Sequence, residues 1–156
     1  MALKPDRYED FVHTEYFMNE TGEAGSVVIF DVSGTTGVGA ALDDSNSKVI
    51  LPNVANGSGE SPAGVLMGDV VNKDLTQTHL NQHKRESQVG GKVGILRQGT
   101  ITTNRLASGL VPVPGEAAYF TQEGVLTVTS TNSTRIGTFL SGKDSDGYAK
   151  VQVNLA

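Results

Sequence analysis

The side chains best placed by type and spacing to do chemistry are two imidazoles, His79 and His83, inside a segment of helical character over 72–88. On a helix, positions i and i+4 put both rings on one face, where they could share a zinc ion. The metalloprotease form of this pattern needs a glutamate directly after the first histidine, and Leu80 stands there instead. No third ligand follows at a recognisable spacing, so the pair reads as part of a polar surface and no metal is expected. Three other patterns fail for similar reasons. The GTTGVG run over 34–39 lacks the lysine and hydroxyl residue of a phosphate-binding loop. Asp144 and Asp146 start like a calcium loop but have no distal glutamate. Asp43 and Asp44 sit in turn-like sequence without an acid–base signature. The chain has no cysteine and no G-x-S-x-G, and His13, His79 and His83 lack a local aspartate or serine context. No catalytic residue and no cofactor are assigned, and the expected class is non-enzymatic.

The elements that would carry such residues read as strands. Glycine makes up 19 of 156 residues, well above the usual ~7 per cent, which favours a turn-rich β protein. Short β-branched or aromatic runs, punctuated by Gly and Pro, mark strands over 26–32, 48–51, 64–71, 124–129, 135–140 and 148–155. The organising stretch is 90–124. Val93, Ile95 and Leu96 form one run that breaks at Gln98 and Gly99. A β-branched run follows over 100–103, then a loop closed by Pro112 and Pro114, then a strand over 117–120. Asp146-Gly147 is a favoured turn pair between the last two strands. In the last strand Val151, Val153 and Leu155 alternate with Lys150, Gln152 and Asn154, a two-faced pattern expected to seal a sheet edge. The fold class expected is all-β, a small β-barrel or sandwich-like domain with at most one short helix, that over 72–88.

Residues 1–24 differ in character from the domain over 25–156. They hold Tyr8, Phe11, Tyr16 and Phe17, four of the nine aromatic residues, with little periodicity. They read either as a strand closing the barrel edge or as an extended N-terminal arm that docks on a neighbouring subunit through its rings. On the arm reading, deleting 1–24 would leave the β domain folded. Charge adds a second candidate surface. The chain carries −5, yet the span 73–105 holds six bases against two acids, so Lys84, Arg85 and Arg97 become candidate contacts for an acidic partner. Nucleic acid is not expected, because the chain is acidic and its bases are not interleaved with stacking aromatics. No apolar window nears the ~20 residues of a membrane span, and the first residues lack an apolar leader core. A soluble protein made in a cytoplasm is the expectation.

From Ala63 onward the chain resembles the head decoration, or capsid cement, proteins of tailed bacteriophages. The resemblance is carried by AGVLMGDVVNKDLTQTHLNQHK at 63–84, QVGGKVGILRQGTITTN at 88–104, PGEAAYF at 114–120 and RIGTFLSGKDSDGYAKVQVNL at 135–155. MNETGEAGSVV at 18–28 matches in character. The order and spacing of these pieces, over roughly two-thirds of the chain, carry the match, since none is chemically diagnostic alone. The resemblance implies a structural virion protein on the outer surface of the mature head. Its partners would be the major capsid protein and further copies of itself, a trimer in preference to a dimer. Other readings are a tail- or fibre-associated β module and a small ligand- or metal-binding barrel.

Overall fold

The computed structural model describes residues 2–32, 47–70 and 86–155. They form an all-β protein of eleven strands: β1 (Tyr8–Met18), β2 (Gly22–Glu23), β3 (Val27–Phe30), β4 (Lys48–Ile50), β5 (Pro62–Asp69), β6 (Glu86–Ser87), β7 (Lys92–Thr103), β8 (Ala117–Thr121), β9 (Val125–Thr127), β10 (Arg135–Phe139) and β11 (Ala149–Asn154). Most of the helix expected over 72–88 lies outside the described residues, with His79, His83, Lys84 and Arg85. So do the GTTGVG run and Asp43 and Asp44. Where the helical expectation enters described sequence it fails, because Glu86 and Ser87 pair with β2 as strand β6.

Strand β7 is the spine. One of its edges is taken by β1, from Tyr8 opposite Thr100 to Phe17 opposite Lys92. Its other edge is shared. β5 pairs along Val93 to Leu96, and β11 takes over from Gln98 to Thr103. The sequence suggested a break at Gln98-Gly99, but the strand continues through it with Gly99 at φ 147°. A side chain there would collide with the Tyr8 carbonyl of β1, so glycine lets the two backbones close up.

Two cores follow from this sharing. The pairings β1–β4–β3–β5–β7–β1 close on themselves as a five-stranded ring. Met18, Val28, Val49, Ala63, Leu66, Val93 and Ile95 pack together in one buried cluster of that ring. The alternate residues Val27, Ile29, Val65 and Leu96 join a second cluster with Phe120, Leu126, Ile136, Phe139, Val151 and Val153, from the sheet that continues β7–β11–β10–β8–β9. Ring and wing thus share β7 and bury opposite faces of the same strands, as period-two alternation requires. The all-β class expected from sequence is present, as one nine-stranded sheet that the β1–β7 pairing closes in part into a ring.

The N-terminal segment belongs to this body. Leu3 is fully buried, bridges to Thr103, and sits between Lys4 N–H donating to Thr102 (2.8 Å) and Asn104 N–H donating to Ala2 (3.0 Å). Of the two sequence readings of 1–24, the structure shows the strand. Deleting the segment would remove a ring strand together with buried Leu3, Phe17 and Met18, so the domain cannot be expected to survive it.

Candidate functional site: a polar sheet face with aromatic rings beside it

Four strands, in the spatial order β10, β11, β7 and β1, turn one face outward. Register sets the rows. Thr138 lies opposite Gln152, Gln152 opposite Thr100, and Thr100 opposite Tyr8. In the neighbouring row Asn154 lies opposite Gln98, and Gln98 opposite Phe11. Two shallow depressions occupy this face. One, of about 290 Å³, is lined by Arg135, Thr138, Gln152 and Asn154 among others. The other, of about 200 Å³, is lined by Tyr8, Asp10, Gln98, Thr100, Gln152 and Asn154. They meet at Gln152 and Asn154.

The polar groups here divide into two kinds. Arg135 is held in place, its Nε–H donating to the Gly137 carbonyl (3.0 Å) and its terminal nitrogen to Thr138 Oγ1 (2.8 Å). Asp10, Gln98, Thr100, Gln152 and Asn154 have no side-chain hydrogen bond or ion pair among the described residues. The β7 and β11 backbones that carry Gln98, Thr100, Gln152 and Asn154 are fixed by strand pairing on both sides.

Next to this face, at the Thr102 row, charges pair. Lys150 Nζ lies 2.9 Å from Asp6, and Lys4 Nζ lies 2.8 Å from Asp144 and 4.3 Å from the Tyr148 ring centre. Asp144 Oδ1 also accepts the Asp146 and Tyr148 N–H groups (2.9 and 2.8 Å), which shapes the β10–β11 turn. The carboxyls of Asp6 and Asp144 are held below the usual aspartate range, each chiefly by its lysine hydrogen bond, and Lys4 is raised chiefly by Asp144. These pairs clasp the N-terminal residues to the wing.

The residues singled out from sequence part company here. Tyr8 is 66 per cent exposed and Phe11 54 per cent. Phe11 stands edge-on to His13 (4.8 Å), which meets Tyr16 (6.1 Å), which in turn tilts against Phe30 of β3 (5.9 Å), so a file of rings runs along β1 into the ring core. Tyr16 is half-buried in that file. Phe17 requires a correction: only 4 per cent exposed, with the Lys92 ammonium 5.6 Å from its ring centre, it is covered within the chain and is not offered to a partner. The reason is the β4 pairing, which places Phe17 opposite Lys48 in the closed part of the ring. Arg97 is half-buried on β7, its carbonyl accepting the Leu155 N–H. Lys84 and Arg85 lie outside the described residues.

Sequence reasoning passed over Gln98, Thr100, Arg135, Thr138, Gln152 and Asn154. The outward alternation of Lys150, Gln152 and Asn154 is visible in sequence and matches the pattern of an edge strand. In the structure β11 is internal, paired to β10 and to β7. Its polar face is therefore the floor of a broad surface. Among the described residues, no three metal-ligating side chains converge. No known protein family matches the chain, and no curated protein is significantly similar to it.

Proposed function

We propose that the protein is a head decoration protein of a tailed bacteriophage, which binds the outer surface of the mature head and stabilises the major capsid protein lattice. The observation that carries this reading is the exposure of Phe11 on a strand that is itself immobilised. β1 is paired to β7 along its length, while among the described residues its other edge is paired only at Phe17 and Met18, to β4. A ring more than half exposed on a fixed strand, beside main-chain donors and acceptors that no described strand pairs, suits a neighbouring subunit that adds a strand and buries the ring. Little order has to be gained on docking, because the backbone is already set. The resemblance over 63–155 supports the same reading.

On this reading the protein works by mass action. A chain that binds the expanded lattice and not its unassembled parts shifts the equilibrium toward the lattice, and modest contacts accumulate over many symmetry-related copies. The test mixes the purified protein with expanded, undecorated heads of the cognate major capsid protein and pellets the heads. Saturable co-sedimentation at a fixed ratio is expected, with Phe11→Ala weakening it by about tenfold or more, the scale of an interface anchor. A well-folded wild-type protein that stays in the supernatant would overturn the proposal. Added salt weakens binding if charge contributes to docking and leaves it unchanged if rings and main chain carry it.

A further inference from the structure

We propose that the face formed by β10, β11, β7 and β1 is a binding site for a neutral oligosaccharide. Four observations on the face converge on that chemistry. The two depressions, about 290 and 200 Å³, are shallow and joined through Gln152 and Asn154, so the space is elongated and suited to a chain of sugar rings. Three primary amides and a hydroxyl, from Gln98, Gln152, Asn154 and Thr100, stand without intramolecular partners among the described residues. An amide donates and accepts at once, which is what vicinal hydroxyls of a pyranose require. Charge is sparse and balanced, with one carboxylate (Asp10) against one guanidinium (Arg135), which favours no charged ligand.

The fourth observation is Tyr8. It closes one end of the row Thr138–Gln152–Thr100–Tyr8 with a ring 66 per cent exposed, held on β1 by pairing to Thr100. An aromatic ring with a polar tip can take the apolar C–H face of a sugar while its hydroxyl stays wet. At the other end Arg135 is fixed by its two hydrogen bonds and still presents donors. A peptide strand is the poorer fit, because the main-chain groups of the internal strands are already consumed by sheet pairing. Saccharide hydroxyls need only the side chains that remain.

The test is a ¹⁵N NMR titration of the full chain with neutral hexaoses of the glucose, galactose, mannose and N-acetylglucosamine series, and a hyaluronan hexamer as the anionic comparison. Saturable shifts are expected from at least one neutral series, confined to amides over 8–10, 98–100, 135–138 and 150–154. Tyr8→Ala and Gln152→Ala should each weaken that binding about tenfold, in line with a lost ring contact or a lost pair of hydrogen bonds. Val111→Ala, on an exposed loop away from the face, should not change it. Spectra of the variants that match wild type outside the face keep the result interpretable. No saturable shift from any neutral series, shifts that map elsewhere, or tighter binding of the hyaluronan hexamer would each overturn the proposal. The titration contains no heads and the co-sedimentation contains no sugar, so failure here and failure of the decoration reading are read out separately.

Discussion

On β11, Ala149, Val151 and Val153 point inward and are at most 1 per cent exposed, while Gln152 and Asn154, on the alternate positions, point into water. The inward row meets Ile101, Ile136 and Phe139 and is part of the larger core. Among the described residues, the amides of Gln152 and Asn154 find no hydrogen-bond partner. One strand thus carries two surfaces with different duties. The inward surface is constrained by close packing, where a lost methylene is felt. Among the described residues the Gln152 and Asn154 side chains make no hydrogen bond or ion pair, so a concentration of amides there, on strands paired on both sides, is better accounted for by something it binds.

The sharpest way to break this comparison is to show that the inward row can be cut at no cost. Phe139 is fully buried in the core between ring and wing. Phe139→Ala should lower the unfolding free energy by about 3–5 kcal/mol, the range for deleting a buried phenylalanine that leaves a cavity. Urea unfolding followed by circular dichroism measures it. A loss below about 1 kcal/mol would mean the wing is not packed as described.

Much of this inward surface was legible in the sequence, because burial leaves a periodic mark. Val151, Val153 and Leu155 announce a strand with one apolar face, and Asp146-Gly147 announces the turn before it. What the chain could not announce was which strands become neighbours. The sharing of β7 between β5 and β11 rests on long-range pairing, and the continuity of β7 through Gly99 depends on the close approach of Tyr8. The polar face is assembled from residues as far apart as Tyr8 and Asn154, and no local pattern marks it. The aromatic segment over 1–24 is distinctive in sequence, but rings that anchor a core and rings that meet a partner look alike until pairing places Phe17 inside and Phe11 outside.

A smaller effect tests the border between the two surfaces, where Lys4 and Lys150 hold Asp144 and Asp6. Both aspartates have folded values below their ordinary ones. Their contribution to stability is therefore present above the ordinary aspartate pKa of about 4 and is lost as pH falls through that value and toward the lower folded values. Lys4 is raised, so its share persists at neutral pH and is lost only as pH rises above its ordinary value near 10.5. The side chains are largely solvated, so the effect is modest and salt-sensitive. Wild type should unfold at a slightly higher urea concentration than the Lys4→Met, Asp144→Asn double variant at pH 7, with the gap closing toward pH 3. A gap unchanged in acid would show that the clasp is not ionic.

The smallest expected change is the most telling. Gln152→Ala and Asn154→Ala remove amides with no partner among the described residues from exposed sites on an internal strand, so stability should move by no more than about 0.5 kcal/mol. Strand propensity gives no reason for amides at these sites, since asparagine is depleted in strands and β-branched residues favoured. If the double variant unfolds at the wild-type urea midpoint, these side chains are dispensable for folding, and their reason for standing in a row with Thr138, Thr100 and Tyr8 has to be sought in what the face binds. If the variant instead loses 2 kcal/mol or more, a quantity typical of an unsatisfied buried group, the amides belong to the fold. The contrast between the two faces of β11 would then collapse, and the saccharide site with it.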